Sequence, residues 1–189
     1  VQYASPIVFE FNGERQYAQL TMKSLVGLSP KDGSVLWKTD WSGRVAVVST
    51  PVYHDGHIYV SSGYGSGCML VQLKANHEVE EVYANKVMKN HHGGVLQIDG
   101  YLYGYSDGGG WVCQDFGTGE EVWSSKKLGK GAVASADGML YCLEEARGQL
   151  VLAEASPRGW TEVSRFVLEP QSENRKPHGK VWTHPVISN

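Results

Sequence analysis

Cysteine is scarce: Cys68, Cys113 and Cys142 are the only three, and no two are adjacent or stand in a C-x-x-C pair. That spacing gives no support to a zinc ribbon or to thioredoxin chemistry. The three read as small buried hydrophobes, and an oxidising compartment leaves open one disulfide with a thiol left over. No apolar run approaches the roughly 20 residues that a membrane-spanning helix needs. A formal net charge of −3 with scattered lysines provides no basic field for nucleic acid. Lys126-Lys127 and Arg175-Lys176 are too short to form such a footprint. Sustained 3.6-residue periodicity is absent, so helix content should be very low. No signal peptide stands in this segment.

What the chain has in quantity is glycine, tyrosine and repetition, with 23 Gly and 10 Tyr. Asp55-Gly56-His57-Ile58-Tyr59, Asp99-Gly100-Tyr101-Leu102-Tyr103 and Asp137-Gly138-Met139-Leu140-Tyr141 share the pattern D-G-x-[I/L]-Y, at steps of 44 and 38 residues. A weaker relative, Asn12-Gly13, lies 43 residues before the first. Asp-Gly or Asn-Gly between apolar runs marks a tight hairpin, because both central residues take positive φ. A second landmark keeps phase. Gly33-Ser34-Val35-Leu36-Trp37 and Gly119-Glu120-Glu121-Val122-Trp123 share G-x-x-x-W, with Tyr83 and Ser164 at the matching places between and after them. One hairpin in each unit of about 40 to 45 residues is the signature of a β-propeller with four-stranded blades.

Cutting the chain at that period gives blades over about 3–44, 45–90, 91–130 and 131–170, each with four short strands rich in Val, Ile, Leu and Tyr. The second strands should be 15–22, 57–62, 101–106 and 139–144. Gly63–Gly67 and Asp107–Gly110 resemble phosphate loops superficially, but they join strand to strand and read as hairpins. Residues 182–189 restate the inner strand around Ser49–Tyr53, so they should begin a fifth blade. The expectation is an all-β single partial propeller over 1–189, forming part of a seven- or eight-bladed ring. Such an arc calls for further blades, a protein partner or self-association to complete it.

The runs Val26–Trp37 and Val112–Trp123 resemble the tryptophan-docking repeat of PQQ-like β-propellers. That superfamily includes quinoprotein alcohol dehydrogenases and the lipoprotein of the outer-membrane β-barrel assembly machinery. More narrowly, Ser62–Gly67, Asn90–Gly94 and Trp182–Val186 resemble the large secreted PQQ-like repeat proteins of planctomycete-type bacteria, in their C-terminal half. The resemblance implies a periplasmic or extracellular protein. It also implies structural docking by Trp37 and Trp123, and more loosely by Tyr83, each filling the wedge against the next blade.

Function is much less legible than fold. Quinoprotein dehydrogenases look for PQQ with Ca²⁺ and a vicinal cysteine pair, which this sequence lacks. His91 and His92 lead into the third inner strand, and His184 leads into the fifth at the matching register. With Arg44, Tyr64 and Trp182 they are candidates for a ligand-binding rim at the channel mouth. The sequence fixes no carboxylate beside these histidines, so no metal and no cofactor are expected and no catalytic residue is assigned. The expected role is a non-catalytic binding or scaffold module in an exported protein. The alternatives are a fragment of a quinone-dependent alcohol dehydrogenase, or a carbohydrate-active propeller enzyme using His and Arg at the channel mouth.

Overall fold

The structure, a computed structural model, describes residues 2–176 and 178–188. Sixteen strands are present among them, and the only helical element is a short 3-10 turn at Ala75–His77. No helix among the described residues is long and apolar enough to cross a membrane.

The strands form four separate antiparallel sheets, each paired in simple chain order. The first holds β1 (Ile7–Phe11), β2 (Glu14–Leu20), β3 (Ser24–Leu28) and β4 (Val35–Asp40). The second holds β5 (Val52–His54), β6 (His57–Ser62), β7 (Gly67–Leu73) and β8 (Val79–Asn85). The third holds β9 (Val95–Ile98), β10 (Tyr101–Ser106), β11 (Gly110–Asp115) and β12 (Glu121–Ser125). The fourth holds β13 (Gly131–Ala136), β14 (Met139–Glu144), β15 (Gln149–Glu154) and β16 (Glu162–Val167). The expected second strands 57–62, 101–106 and 139–144 coincide with β6, β10 and β14. These are the four expected blades.

Local chemistry explains the repetition. Each first hairpin turns on two residues of positive φ: Asn12 and Gly13, Asp55 and Gly56, Asp99 and Gly100, Asp137 and Gly138. Such turns match the right-handed twist of the flanking strands. A feature that the sequence did not announce recurs between the third and outer strands of every blade. The register shifts once in each, at Gly27/Leu28, Leu70/Val71, Cys113/Gln114 and Leu152/Ala153. A bulge bends its strand and increases local twist. Each blade therefore turns at the point where its docking residue sits.

The residues opposite that docking position trade volume. Across the bulge, Trp37 faces Gly27 and then Ala18, whereas Ser164 faces Leu152 and then Tyr141. Tyr83 faces Leu70 and Tyr59, and Trp123 faces Cys113 and Tyr103. The first and fourth blades are the extremes, the largest outer residue with the smallest inner ones and the smallest with large ones, as close packing of directly opposed side chains requires.

The chain divides into two compact units, Val1–His91 and His92–Asn189, each built from two blades. In the first, Trp37, Leu25 and Leu20 are buried together with Ile58, Val60, Met69 and Val71 of the second blade. The Tyr53 hydroxyl donates to the Glu10 carbonyl at 2.9 Å, and the Phe9 and Tyr53 rings stack at 4.6 Å. Buried Asn90 closes a polar network, accepting from Ser49 Oγ at 2.6 Å and donating its N–H to Ser61 Oγ at 3.0 Å. The core of the second unit gathers Tyr103, Trp111, Cys113, Val133, Leu140 and Cys142. Trp111 packs 5.9 Å from Trp160, whose ring meets Trp123 edge-on at 6.2 Å.

Two expectations change. No ladder forms at residues 182–188, so the anticipated opening strand of a fifth blade is not formed there; Asn189 lies outside the described residues. Instead, the Val181 N–H donates to the Glu145 carbonyl at 2.7 Å, which ties this segment to the fourth blade. Nor does Trp37 lie simply across its neighbour. Its indole covers Gly27 of its own blade, so closely that a Cβ there would meet ring carbon Cε2 at 2.0 Å.

All three cysteines are buried, and none of them is joined in a disulfide. Cys68 and Cys113 lie on third strands and Cys142 on a second strand.

Candidate binding site on the fourth blade

The site begins with a turn. After β14, Glu144 accepts from the N–H groups of Ala146 at 2.9 Å and Arg147 at 2.7 Å, and Gly148 completes the reversal at a φ of 69°. A carboxylate that accepts two successive backbone donors fixes such a loop. It thereby fixes Glu145, whose own N–H donates to the Lys130 carbonyl at 2.8 Å.

The Glu145 carboxylate is the hub. Its Oε2 accepts from His92 Nε2 at 2.9 Å and from Trp182 Nε1 at 3.0 Å. Lys180 Nζ stands 4.0 Å from Oε1. A carboxylate at neutral pH only accepts, so the bond to His92 requires the proton on Nε2. The His92 and Trp182 rings are 5.3 Å apart and tilted by 39°. His184 Nε2 donates to the His92 carbonyl at 2.9 Å, and its ring passes so near Gly94 that a Cβ there would lie 3.1 Å away. The side chains of His92 and Glu145 are only 9% and 16% exposed, whereas Trp182 is 61% exposed. The arrangement is a clamp: a half-buried carboxylate holds a tryptophan by its N–H and leaves the ring face in solvent.

Of the rim residues expected from sequence, His92, Trp182 and His184 therefore come together. In the other unit Tyr64, on the hairpin between β6 and β7, meets His91, in the connection between β8 and β9, edge-on at 4.8 Å. Arg44 is exposed in the connection between β4 and β5. The expectation that the histidines lack a carboxylate is overturned for His92 by Glu145. The missed signal was the Glu144-Glu145 pair in the second hairpin of its blade, where the two preceding blades carry Gly-rich loops.

The three residues expected to dock are seated in different ways. Trp37 is buried, and its Nε1 donates to the equally buried Gln16 at 2.8 Å. Trp123 is half-buried and reaches the fourth blade, where its Nε1 donates to the Ser156 carbonyl at 2.9 Å. Cys113 opposite it leaves no room for the pose that Gly27 permits. Tyr83 is half-buried opposite Leu70.

Among the described residues, no group of three or more His, Cys, Asp or Glu is placed to hold a metal ion. Cys68, Cys113 and Cys142 sit on different strands, and no two of them are adjacent in the sequence. Burial pushes the Cys113 thiol up to about 11 and the Cys142 thiol further.

Four antiparallel four-stranded blades, three of them with an aromatic at the docking register, define a PQQ-like β-propeller protein. Residues 2–125 match the family described as outer membrane protein assembly factor BamB, and the chain belongs to that family. Among solved structures, BamB from Moraxella catarrhalis is similar over 95% of this chain and 56% of its own, at 15% identity and a TM-score of 0.70. A quinohemoprotein alcohol dehydrogenase from Pseudomonas putida HK5 is similar over 87% of this chain and 34% of its own, at 14% identity and a TM-score of 0.60. The computationally designed Ika8 protein is similar over 93% of this chain and 57% of its own, at 10% identity and a TM-score of 0.59. The chain thus spans a little over half the length of the BamB structure. No curated protein matches the sequence.

Proposed function

We propose that this chain is a non-catalytic binding or scaffold module of an exported, periplasmic or extracellular protein, and that its fourth blade is the surface offered to a protein partner. The observation that carries the reading is the exposure of that blade. Val163, Phe166, Val167 and Leu168 are 53%, 51%, 43% and 38% exposed along and just after β16, beside the clamped Trp182. Large apolar groups concentrated on one element normally mark an interaction surface. Family membership supports the same reading, since BamB is by its name an assembly factor of the outer membrane. The Glu145 clamp adds to it, because its carboxylate is committed to holding a loop. The further reading is that the blades belong to a seven- or eight-bladed ring, completed by more blades or by a second copy, as in large secreted PQQ-like repeat proteins.

The test places a photo-crosslinking amino acid at Phe166 and at Trp182, with Lys23 as an exposed control on the first blade. An identified protein adduct from the first two positions, absent from the third, is the expected result. Stoichiometric quinone bound from PQQ with Ca²⁺, together with dye-linked alcohol oxidation, would overturn the reading in favour of an enzyme.

A further inference from the structure

Beneath the segment that follows β16 lies a cavity of about 420 Å³, within the range of small-ligand sites, roughly 300–1,000 Å³. Leu168, Val181 and Trp182 supply its apolar wall, and Arg175, Lys180 and Gln171 its polar groups. No carboxylate lines it. Arg175 is one of its lining residues, and the buried Nη1 of that guanidinium has no hydrogen-bond partner among the described residues. A guanidinium N–H withdrawn from water without an acceptor is costly. The cost is removed when an anion arrives, and a planar carboxylate suits the guanidinium fork best. The wall is built in advance: Gln171 Nε2 donates to the Arg147 carbonyl at 2.8 Å, and Glu145 holds the Trp182 ring by its N–H.

We infer that this cavity is a recognition pocket for an acidic peptide segment of the partner, in which an Asp or Glu is flanked by a large apolar residue. The carboxylate seats on Arg175 with Lys180 beside it, and the apolar side chain packs on Trp182 and Leu168. Arg175, with Lys180 beside it already facing Glu145 at 4.0 Å, fits a single carboxylate, whereas a nucleic-acid backbone calls for many more cations. An apolar wall directly beside the cations fits a peptide carrying both groups in sequence. Clamping the aromatic anchor before binding lowers the ordering cost of association.

The inference rests on the binding-module reading, and its test separates the two. The full 189-residue chain is titrated calorimetrically with an acetylated, amidated peptide Gly-Leu-Asp-Phe-Gly and with its Asn counterpart. The Asp peptide is expected to bind one to one and to shift tryptophan emission, with the Asn peptide weaker by at least about tenfold. Arg175→Ala should weaken the Asp peptide by a similar factor and abolish the discrimination. Arg175→Lys, which keeps the charge and leaves the melting transition in place, should fall between. Added salt should weaken the Asp peptide alone. Equal binding of the two peptides, or no binding to a chain that melts normally, would overturn the pocket. An identified crosslinked partner at Phe166 alongside either of those results would leave the binding-module reading standing without it.

Discussion

Gly27→Ala tests how the first blade is built, because the smallest possible side chain is added where an indole already lies. The new Cβ would stand 2.0 Å from Trp37 Cε2 and 2.1 Å from Nε1. No real contact is that short, so the ring must leave. Trp37 is only 4% exposed, and a tryptophan buries roughly 150–250 Å². At about 25 cal/mol per Å² that is ~4–6 kcal/mol, and allowing for a compact unfolded chain brings it to ~3–5 kcal/mol. Ejecting the ring also strands Gln16, 1% exposed, whose Oε1 accepts the indole N–H at 2.8 Å; a buried unsatisfied polar group costs about 1–3 kcal/mol. Partial retention of the ring by strand shifts offsets some of this. A loss of about 3–5 kcal/mol is expected, a large part of the 5–15 kcal/mol typical of a domain. The assay is urea denaturation followed by far-UV circular dichroism, run as a cycle with Trp37→Ala. In that background the space is empty, and Gly27→Ala should be neutral or stabilising by about 0.5 kcal/mol, since glycine weakens strands. A cost below about 1 kcal/mol in the parent, or the same cost in both backgrounds, would refute the seating of Trp37 on Gly27.

Other consequences are open to measurement. Glu145→Ala removes the acceptor of His92 and Trp182 and should destabilise by about 1–3 kcal/mol, with faster amide exchange concentrated in residues 169–187; unchanged exchange there would mean that the clamp does not hold the loop. The three cysteines are buried and outside any disulfide, with the Cys113 thiol pushed up to about 11. An aromatic disulfide reagent should therefore meet no reactive thiol in the native chain and three after denaturation, and rapid native labelling would contradict the packing. The Arg165 guanidinium holds the Glu162 carboxyl below the usual carboxylate range. Its contribution to stability is present above the unfolded carboxyl's range and is lost as pH falls below that range through the lowered folded one. Glu162→Gln should therefore flatten the acid limb of a melting-temperature profile slightly, the pair being near the surface, and an acid limb identical to the parent's would show that the pair adds nothing.

Much of the fold was legible in the sequence because its causes are local. Asp55-Gly56 and its three counterparts demand positive φ at two successive residues, and only a tight hairpin satisfies that. The apolar runs between them are too short for helices and follow the strand period, so β6, β10 and β14 fall where the residues place them. The site was different. His92 meets Glu145 across 53 residues, and Trp182 meets it across 37. No dihedral preference or spacing rule links such partners. They come together because Glu144 fixes a turn, that turn aims Glu145, and the chain after β16 crosses back over the blade. Residues 182–188 carry the sequence of an inner strand, yet a strand exists only where a neighbour offers its ladder, and the Glu145 carbonyl took the Val181 N–H. In the same way, the G-x-x-x-W motif announced a docking tryptophan twice, but only the residue opposite decided the pose. Gly27 lets Trp37 lie on its own blade, and Cys113 sends Trp123 out to Ser156, because two side chains cannot fill one volume.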